Sequence, residues 1–284
     1  MATYLPKIFM GLAFLAAMII AGTAGAAQPE PWQMGFQPAA SPVMESINSF
    51  HNFLLWIITA ITLFVLALLL YCMVRFNAKA NPVPSKTSHN TTIEVLWTVI
   101  PVLILVAIAI PSFRLLYLEA VVPESEVTIK ATGYQWYWGY SYPDNGDFEY
   151  FANMIEEPDL APGQPRLLAT DTKVVVPVDT NVRVIVTAAD VIHNWAMPAF
   201  GVKMDAVPGR LNETWFNASE TGIYYGQCSE LCGVRHAFMP IEVHVVEKDD
   251  FNAWVASAEE EYALNGTIPD SPLDQQTLLA DARN

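Results

Sequence analysis

Two uncharged apolar runs, residues 53–73 and 95–113, constrain this chain more than any other feature of its 284 residues. About 20 apolar residues suffice to cross a bilayer as a helix. With no water to satisfy the backbone, a single apolar segment can cross in no other form. Both runs are therefore expected to be transmembrane helices, over 51–75 and 93–117. Pro101 and Pro111 lie inside the second, where a membrane tolerates them better than water would. The connecting loop, 76–92, follows Arg75 and carries Lys79 and Lys86 with no acidic residue. By the positive-inside rule it is cytoplasmic. Two spans then return the chain to the outside, which places residue 120 onward in the periplasm or extracellular space.

The N-terminus agrees. Lys7, the short apolar run 8–20 and the small residues Ala24-Gly25-Ala26 have the layout of a cleavable signal peptide, expected over 1–26. An external N-terminal segment, 27–50, would then lead into the first span. Charge is divided along the chain: 25 acidic residues face 9 basic ones from residue 120 onward, against 4 and 5 before it. A neutral greasy third followed by an acidic remainder reads as a lipid-embedded anchor carrying a soluble domain. That acidity excludes nucleic acid as a partner and favours a basic protein.

Beyond residue 120 the period changes. Alternation at 127–132, 173–178, 181–187 and 241–246, punctuated by Pro143-Asp144-Asn145-Gly146, Pro162-Gly163, Pro208-Gly209 and Thr221-Gly222, suggests short strands in an antiparallel sandwich or barrel over 120–248. Residues 249–264 form a final helix, with Phe251, Trp254, Val255 and Ala258 spaced for one face. A polar tail completes the C-terminal segment 249–284.

Chemistry concentrates in one loop: Cys228-Ser229-Glu230-Leu231-Cys232-Gly233-Val234-Arg235-His236-Ala237-Phe238-Met239. Thiolate, thioether and imidazole together select copper over hard cations, and zinc has little use for a methionine. A single blue-copper site needs only one cysteine. Two thiolates can bridge two copper ions, with one histidine terminal to each. Of the remaining histidines, His51 and His89 flank the spans and His244 sits within a strand. His193, at the end of the strand pattern, is left as the second imidazole. A Cys228–Cys232 disulfide is the competing reading in an oxidising compartment; it leaves His236 and Met239 without a role. A thioredoxin-like Cys-x₃-Cys site would call for alternating strands and helices, and this domain reads as all-β. Cys72, inside a span, is a small apolar filler. Glu94, opening the second span, reads either as a helix-end charge or as part of a proton path.

The two-span hairpin, the aromatic run Gly133-Tyr134-Gln135-Trp136-Tyr137-Trp138 and the Cys-rich loop together resemble subunit II of cytochrome c oxidase, in its bacterial aa-type relatives, over nearly the whole chain after the signal peptide. The resemblance implies a two-helix transmembrane hairpin followed by an all-β cupredoxin-like domain of Greek-key type. It implies a dinuclear CuA centre: Cys228 and Cys232 as bridging thiolates, His193 and His236 as terminal ligands, Met239 and the backbone carbonyl of Glu230 as axial ligands. The Glu230 carboxylate would reach a magnesium ion shared with subunit I. Trp136 becomes the indole through which an electron from cytochrome c is received, and Glu94 the mouth of a proton path into subunit I. Tyr134 departs from the histidine common at its position. Asp205 matches a docking position for cytochrome c, with Glu157 and Asp159 as weaker candidates beside Asp144, Asp147 and Glu156. The implied partners are subunit I, further oxidase subunits and cytochrome c. The implied place is the bacterial cytoplasmic membrane, in a proton-pumping respiratory complex that reduces oxygen in subunit I. A copper-free quinol-oxidase subunit II, a structural partner of the same fold, is the alternative, and the intact ligand set disfavours it.

Overall fold

The computed structural model describes residues 25–264, in two compact units, 42–121 and the remainder. Most of the expected signal peptide and the polar C-terminal tail lie outside the described residues.

The first unit is a helical hairpin of α1 (Pro42–Arg75) and α2 (Thr91–Ala120). Both are long and apolar enough to cross a membrane, and their apolar side chains point outward, as a lipid-facing surface requires. Helix α1 begins at Pro42 rather than at 51. Proline is favoured in the first turn, where its missing N–H costs nothing, and Glu45 complements the dipole there. Helix α2 is capped reciprocally: Asn90 Oδ1 accepts the Ile93 N–H (3.3 Å) and the Glu94 carboxylate accepts the Asn90 N–H (3.2 Å). That exchange satisfies two of the orphan donors of a helix start, so Glu94 acts locally as a helix-end group.

The second unit holds eleven strands among its described residues. Strands β10 (Gly222–Gln227) and β11 (Pro240–Val246) are the middle of a four-stranded sheet, flanked by β1 (Gly25–Ala27) and β5 (Val174–Pro177). A five-stranded sheet runs in the order β4 (Glu149–Ala152), β3 (Tyr137–Ser141), β2 (Val127–Tyr134), β6 (Asn181–Ala188), β9 (Asn212–Asn217). A ribbon of β7 (His193–Met197) and β8 (Val202–Ala206) completes the domain. Ile129, Val184, Val174 and Val243, from both sheets, are fully buried in one core: a cupredoxin-like β-sandwich.

The expected antiparallel order is corrected in part. Three pairs are parallel: β2 with β6, β5 with β11 and β1 with β10. A parallel pair needs a long return connection, and β3–β5 provide it between β2 and β6. Strand β2 is buried on both faces over most of its length, so its alternation marks β propensity rather than a wet face.

Helix α3 (Lys248–Leu264) buries Phe251 and Ala258 and sets Trp254 against Tyr142 and Phe148 (ring centroids 5.1 and 5.7 Å). Tyr142 exchanges hydrogen bonds with the backbone of Val175, donating at 2.9 Å and accepting at 3.0 Å. It thereby ties the five-stranded sheet to β5.

Candidate metal centre

The last register pair of the β10–β11 hairpin is Gln227 with Pro240. Everything from Cys228 to Met239 is therefore one closed loop, pinned at its neck by Cys228 N–H donating to the Met239 carbonyl (3.2 Å). A second segment meets it: Ser229 N–H donates to the carbonyl of Asn194 (3.2 Å), which brings His193, the first residue of β7, to the mouth of the loop.

Five side chains converge there. The two sulfurs stand 3.9 Å apart, and both cysteines are free thiols, so the disulfide reading does not describe this arrangement. Each sulfur has its own imidazole: Cys228 Sγ lies 3.9 Å from His193 Nδ1, and Cys232 Sγ lies 3.6 Å from His236 Nδ1. Met239 Sδ is 3.5 Å from Cys232 Sγ, and the Glu230 carbonyl is 3.3 Å from Cys228 Sγ. His193, Cys228 and Cys232 are buried. Two soft thiolates, two imidazoles and a thioether suit copper. The paired sulfurs, each with one histidine, fit a centre of two ions rather than one. The Glu230 carboxylate points away, into solvent.

Around this cluster stands a layer that sequence reasoning did not single out. Asp190 Oδ1 is 2.8 Å from His193 Nε2 and also accepts the Val191 N–H at 2.6 Å. A carboxylate only accepts, so Nε2 carries the proton and Nδ1 presents its lone pair to the sulfurs, the usual way an outer carboxylate orients a ligating histidine. Asp190 Oδ2 accepts the Gln135 N–H (2.7 Å), and Gln135 Nε2 donates to the Cys232 carbonyl (2.7 Å). Asp190 and Gln135 thus brace both halves of the site. The only advance signal was an Asp at a strand end, three residues before the candidate histidine.

Burial is the largest influence on His193 and disfavours its charge, yet hydrogen bonds with Cys228 and Asp190 hold its pKa above the ordinary value. Asp190→Asn is expected to lower it and to weaken copper affinity between ten- and a hundredfold while leaving the fold intact. Copper titration of the variant checks this, and wild-type affinity would remove Asp190 from the site.

Trp136, the indole expected to receive the electron, is half-buried. Its Nε1 donates to the same Cys232 carbonyl at 3.2 Å, and its ring lies over Gly233, whose added Cβ would meet Trp136 Cζ2 at 3.0 Å. Gly233 has φ of 122°, a backbone conformation that disfavours side chains. Asp205, on β8, accepts a hydrogen bond from Asn194 Nδ2 (2.7 Å). Glu157 pairs with Arg166 (2.9 Å), and Glu156 with Arg235 of the copper loop (2.8 Å). Asp159 follows Glu157 in the same 3₁₀ turn with no ion pair among the described residues. Glu94 lies on the helical hairpin.

A membrane hairpin bearing a cupredoxin-like domain with paired cysteines defines a class: membrane-anchored copper electron carriers. Family models sharpen it. Cytochrome c oxidase subunit II, periplasmic domain, matches residues 127–246, and the corresponding transmembrane domain matches residues 29–115. A probable cytochrome c oxidase subunit 2 of Rickettsia felis is 53% identical, covering 92% of this chain and 82% of that one. The cytochrome c oxidase subunit 2 of Cereibacter sphaeroides is 46% identical, covering 92% of this chain and 95% of that one. The crystal structure of the periplasmic domain of subunit II of cytochrome oxidase (CoxB) of Bradyrhizobium japonicum is 58% identical and covers 50% of this chain and 99% of that one, with a TM-score of 0.48. The chain belongs to the cytochrome c oxidase subunit II family: a membrane protein with a periplasmic copper-binding domain and a part of a haem–copper terminal oxidase.

Proposed function

We propose that this chain is the electron-receiving subunit of a bacterial cytoplasmic-membrane oxidase, accepting electrons from cytochrome c and relaying them toward subunit I. The observation that carries the reading is the pairing of each loop sulfur with its own imidazole, within 3.9 Å for Cys228 and 3.6 Å for Cys232. Cys228 and Cys232 as thiolates, His193 and His236 as imidazoles, Met239 as a thioether and the Glu230 carbonyl would together hold two copper ions. When bound, the pair supplies one-electron redox chemistry shared over two ions.

The chain's own residues do the rest. Asp190 and Gln135 fix the ligands before metal arrives, so little reorganisation accompanies a change of charge. Trp136 joins the outer face to the carbonyl of Cys232 through one hydrogen bond, a short route for an incoming electron. Asp205, with Asp159 and Glu157, offers negative charge to a basic cytochrome c, which raises encounter rate more than affinity. Asp159 is the stronger of the latter two, because Arg166 offsets Glu157. The exposed Glu230 carboxylate would hold magnesium against subunit I. Glu94 would receive protons at the cytoplasmic end of α2. Residues 1–26 would be removed as a signal peptide, leaving residues 27–50 outside, 51–75 and 93–117 as the spans around a cytoplasmic loop at 76–92, 120–248 as the copper domain and 249–284 as a C-terminal helix and tail.

The test is Trp136→Phe in the assembled oxidase. An aromatic ring is kept, though smaller than the indole, and the Nε1 donor is lost, for about 1 kcal/mol of domain stability from the hydrogen bond. Electron uptake from cytochrome c should slow sharply in stopped flow while the copper spectrum stays unchanged. An altered spectrum with normal uptake would make Trp136 a structural residue and overturn its role.

A further inference from the structure

The helical hairpin carries a cleft that the copper chemistry does not use. It is an open groove of about 450 Å³ between α1 and α2, at the end from which the chain continues into the β domain. Its polar half is formed by Glu45, Ser46 and Ser49 of α1 and Arg114 of α2; its apolar half includes Phe53 and Leu115. Phe53 opens the uncharged run of α1, and Arg114 is the first charge after the uncharged run of α2. The cleft therefore straddles the depth at which phospholipid headgroups meet acyl chains, its polar half on the headgroup side.

Two opposite charges line this cleft without pairing. Arg114 has neither a hydrogen bond nor an ion pair among the described residues, although Glu45 lines the same space. At the edge of a bilayer an unmatched guanidinium calls for a counter-charge, and its planar fork matches a phosphate in particular. The Ser49 hydroxyl is free to donate to that phosphate. The Ser46 hydroxyl already donates its hydrogen bond to the Pro42 carbonyl (2.9 Å), so toward the cleft it can only accept, as can the Glu45 carboxylate. The cleft thus offers donors, Arg114 and Ser49, and acceptors, Glu45 and Ser46.

We propose that this cleft binds a zwitterionic phospholipid carrying a primary amine, its phosphate on Arg114 and Ser49 and its ammonium on Glu45 and Ser46. The apolar half then takes the upper acyl chain along Phe53 and Leu115. An anionic phospholipid without an amine fits less well, because it would leave the Glu45 carboxylate facing unneutralised negative charge. A volume of 450 Å³ is the size of a small-molecule site, enough for a headgroup and the start of the chains.

The intact oxidase containing this chain, stripped of lipid in detergent and titrated with phosphatidylethanolamine or phosphatidylglycerol, tests the proposal by native mass spectrometry. Wild type should take up phosphatidylethanolamine in preference. Arg114→Gln should weaken uptake of both lipids about tenfold, the loss of one charge-assisted contact, and Arg114→Lys should restore part of it. Glu45→Gln leaves the phosphate contact in place and should abolish the preference for the amine headgroup. Unchanged phosphatidylethanolamine uptake in Arg114→Gln, or unchanged headgroup preference in Glu45→Gln, would overturn the assignment. So would a wild-type complex that binds no lipid sensitive to either change, the result expected if a neighbouring subunit's helix fills the cleft. Should Arg114→Gln fail to assemble, the headgroup preference of Glu45→Gln decides.

Discussion

Replacing Gly133 with alanine is expected to strip the copper centre while leaving the β-sandwich folded. Gly133 sits near the end of β2, paired with Trp138 on one side and Ala188 on the other, so its backbone cannot retreat. A Cβ built there would lie 2.7 Å from Cδ2 and 2.9 Å from Cγ of His193, closer than real side chains approach. The imidazole has nowhere to go. It is fully buried, its Nε2 is tied to Asp190, and the Trp138 indole lies across it with ring centroids 6.0 Å apart. Overpacking of this kind costs roughly 1–3 kcal/mol, well inside the 5–15 kcal/mol by which domains are typically stable. The strain falls on one ligand, so the effect should read out as lost copper and altered hyperfine structure rather than as unfolding. Copper content per chain and circular dichroism, measured together, separate the two. An alanine variant with full copper and an unchanged spectrum would show that His193 is not held where the structure holds it.

The ligand loop was legible in the sequence because its geometry is local. A β-hairpin closes on Gln227 and Pro240, so four of the five donor side chains had to fall within a dozen residues, and soft-donor chemistry named the metal class. His193 was reached by eliminating the three histidines outside the loop that flank the spans or sit within a strand, one of which, His244, pairs with Glu242 at 2.7 Å within β11. The membrane hairpin was legible for a different reason: apolar length is a property of the chain itself. Hidden from view was whatever depends on contact between distant segments. Gln135 touches Cys232 across 97 residues and Asp190 across 55, and no spacing rule links such positions. Gly133 looked like the start of an aromatic strand; only the fold shows that its hydrogen makes room for His193. The parallel pairing of β2 with β6 was invisible for the same reason, since alternation records burial and not strand direction. The early start of α1 escaped because residues 42–50 are too polar to announce a span, though Pro42 and Glu45 suit a helix start.

The second large effect concerns the two cysteines, which are alike in sequence and unlike in setting. In the metal-free protein, burial is the largest influence on Cys228 and pushes its thiol up, but hydrogen bonds with His193, with the backbone at Asn194 and Glu230 and with His236 outweigh it, so that it ionises at about 7. For Cys232 a backbone hydrogen bond compensates too little: burial and then the neighbouring Cys228 thiolate push it up to about 12. Only one thiolate therefore exists near neutral pH. It is present above about 7 and lost below it, and the second proton must leave as metal binds. A small alkylating reagent should modify Cys228 of the reduced, metal-free protein with a rate that climbs through neutrality, while Cys232 stays unmodified until strongly alkaline pH; peptide mass spectrometry reads both. Copper affinity should likewise rise with pH, because each bound pair displaces the Cys232 proton. Cys228→Ser and Cys232→Ser each remove a bridge that neither histidine can replace. Both should fall from two copper ions per chain to one or none, with the hyperfine pattern of a single nucleus in place of an electron shared by two. The asymmetry distinguishes them: Cys232→Ser keeps the low thiol and should still capture a first ion at neutral pH, whereas Cys228→Ser loses the push of the neighbouring thiolate but keeps a thiol that burial still raises, and should capture a first ion only at higher pH. Equal capture by both variants, or earlier alkylation of Cys232, would show that the hydrogen bonds around Cys228 do not set the order in which the site fills.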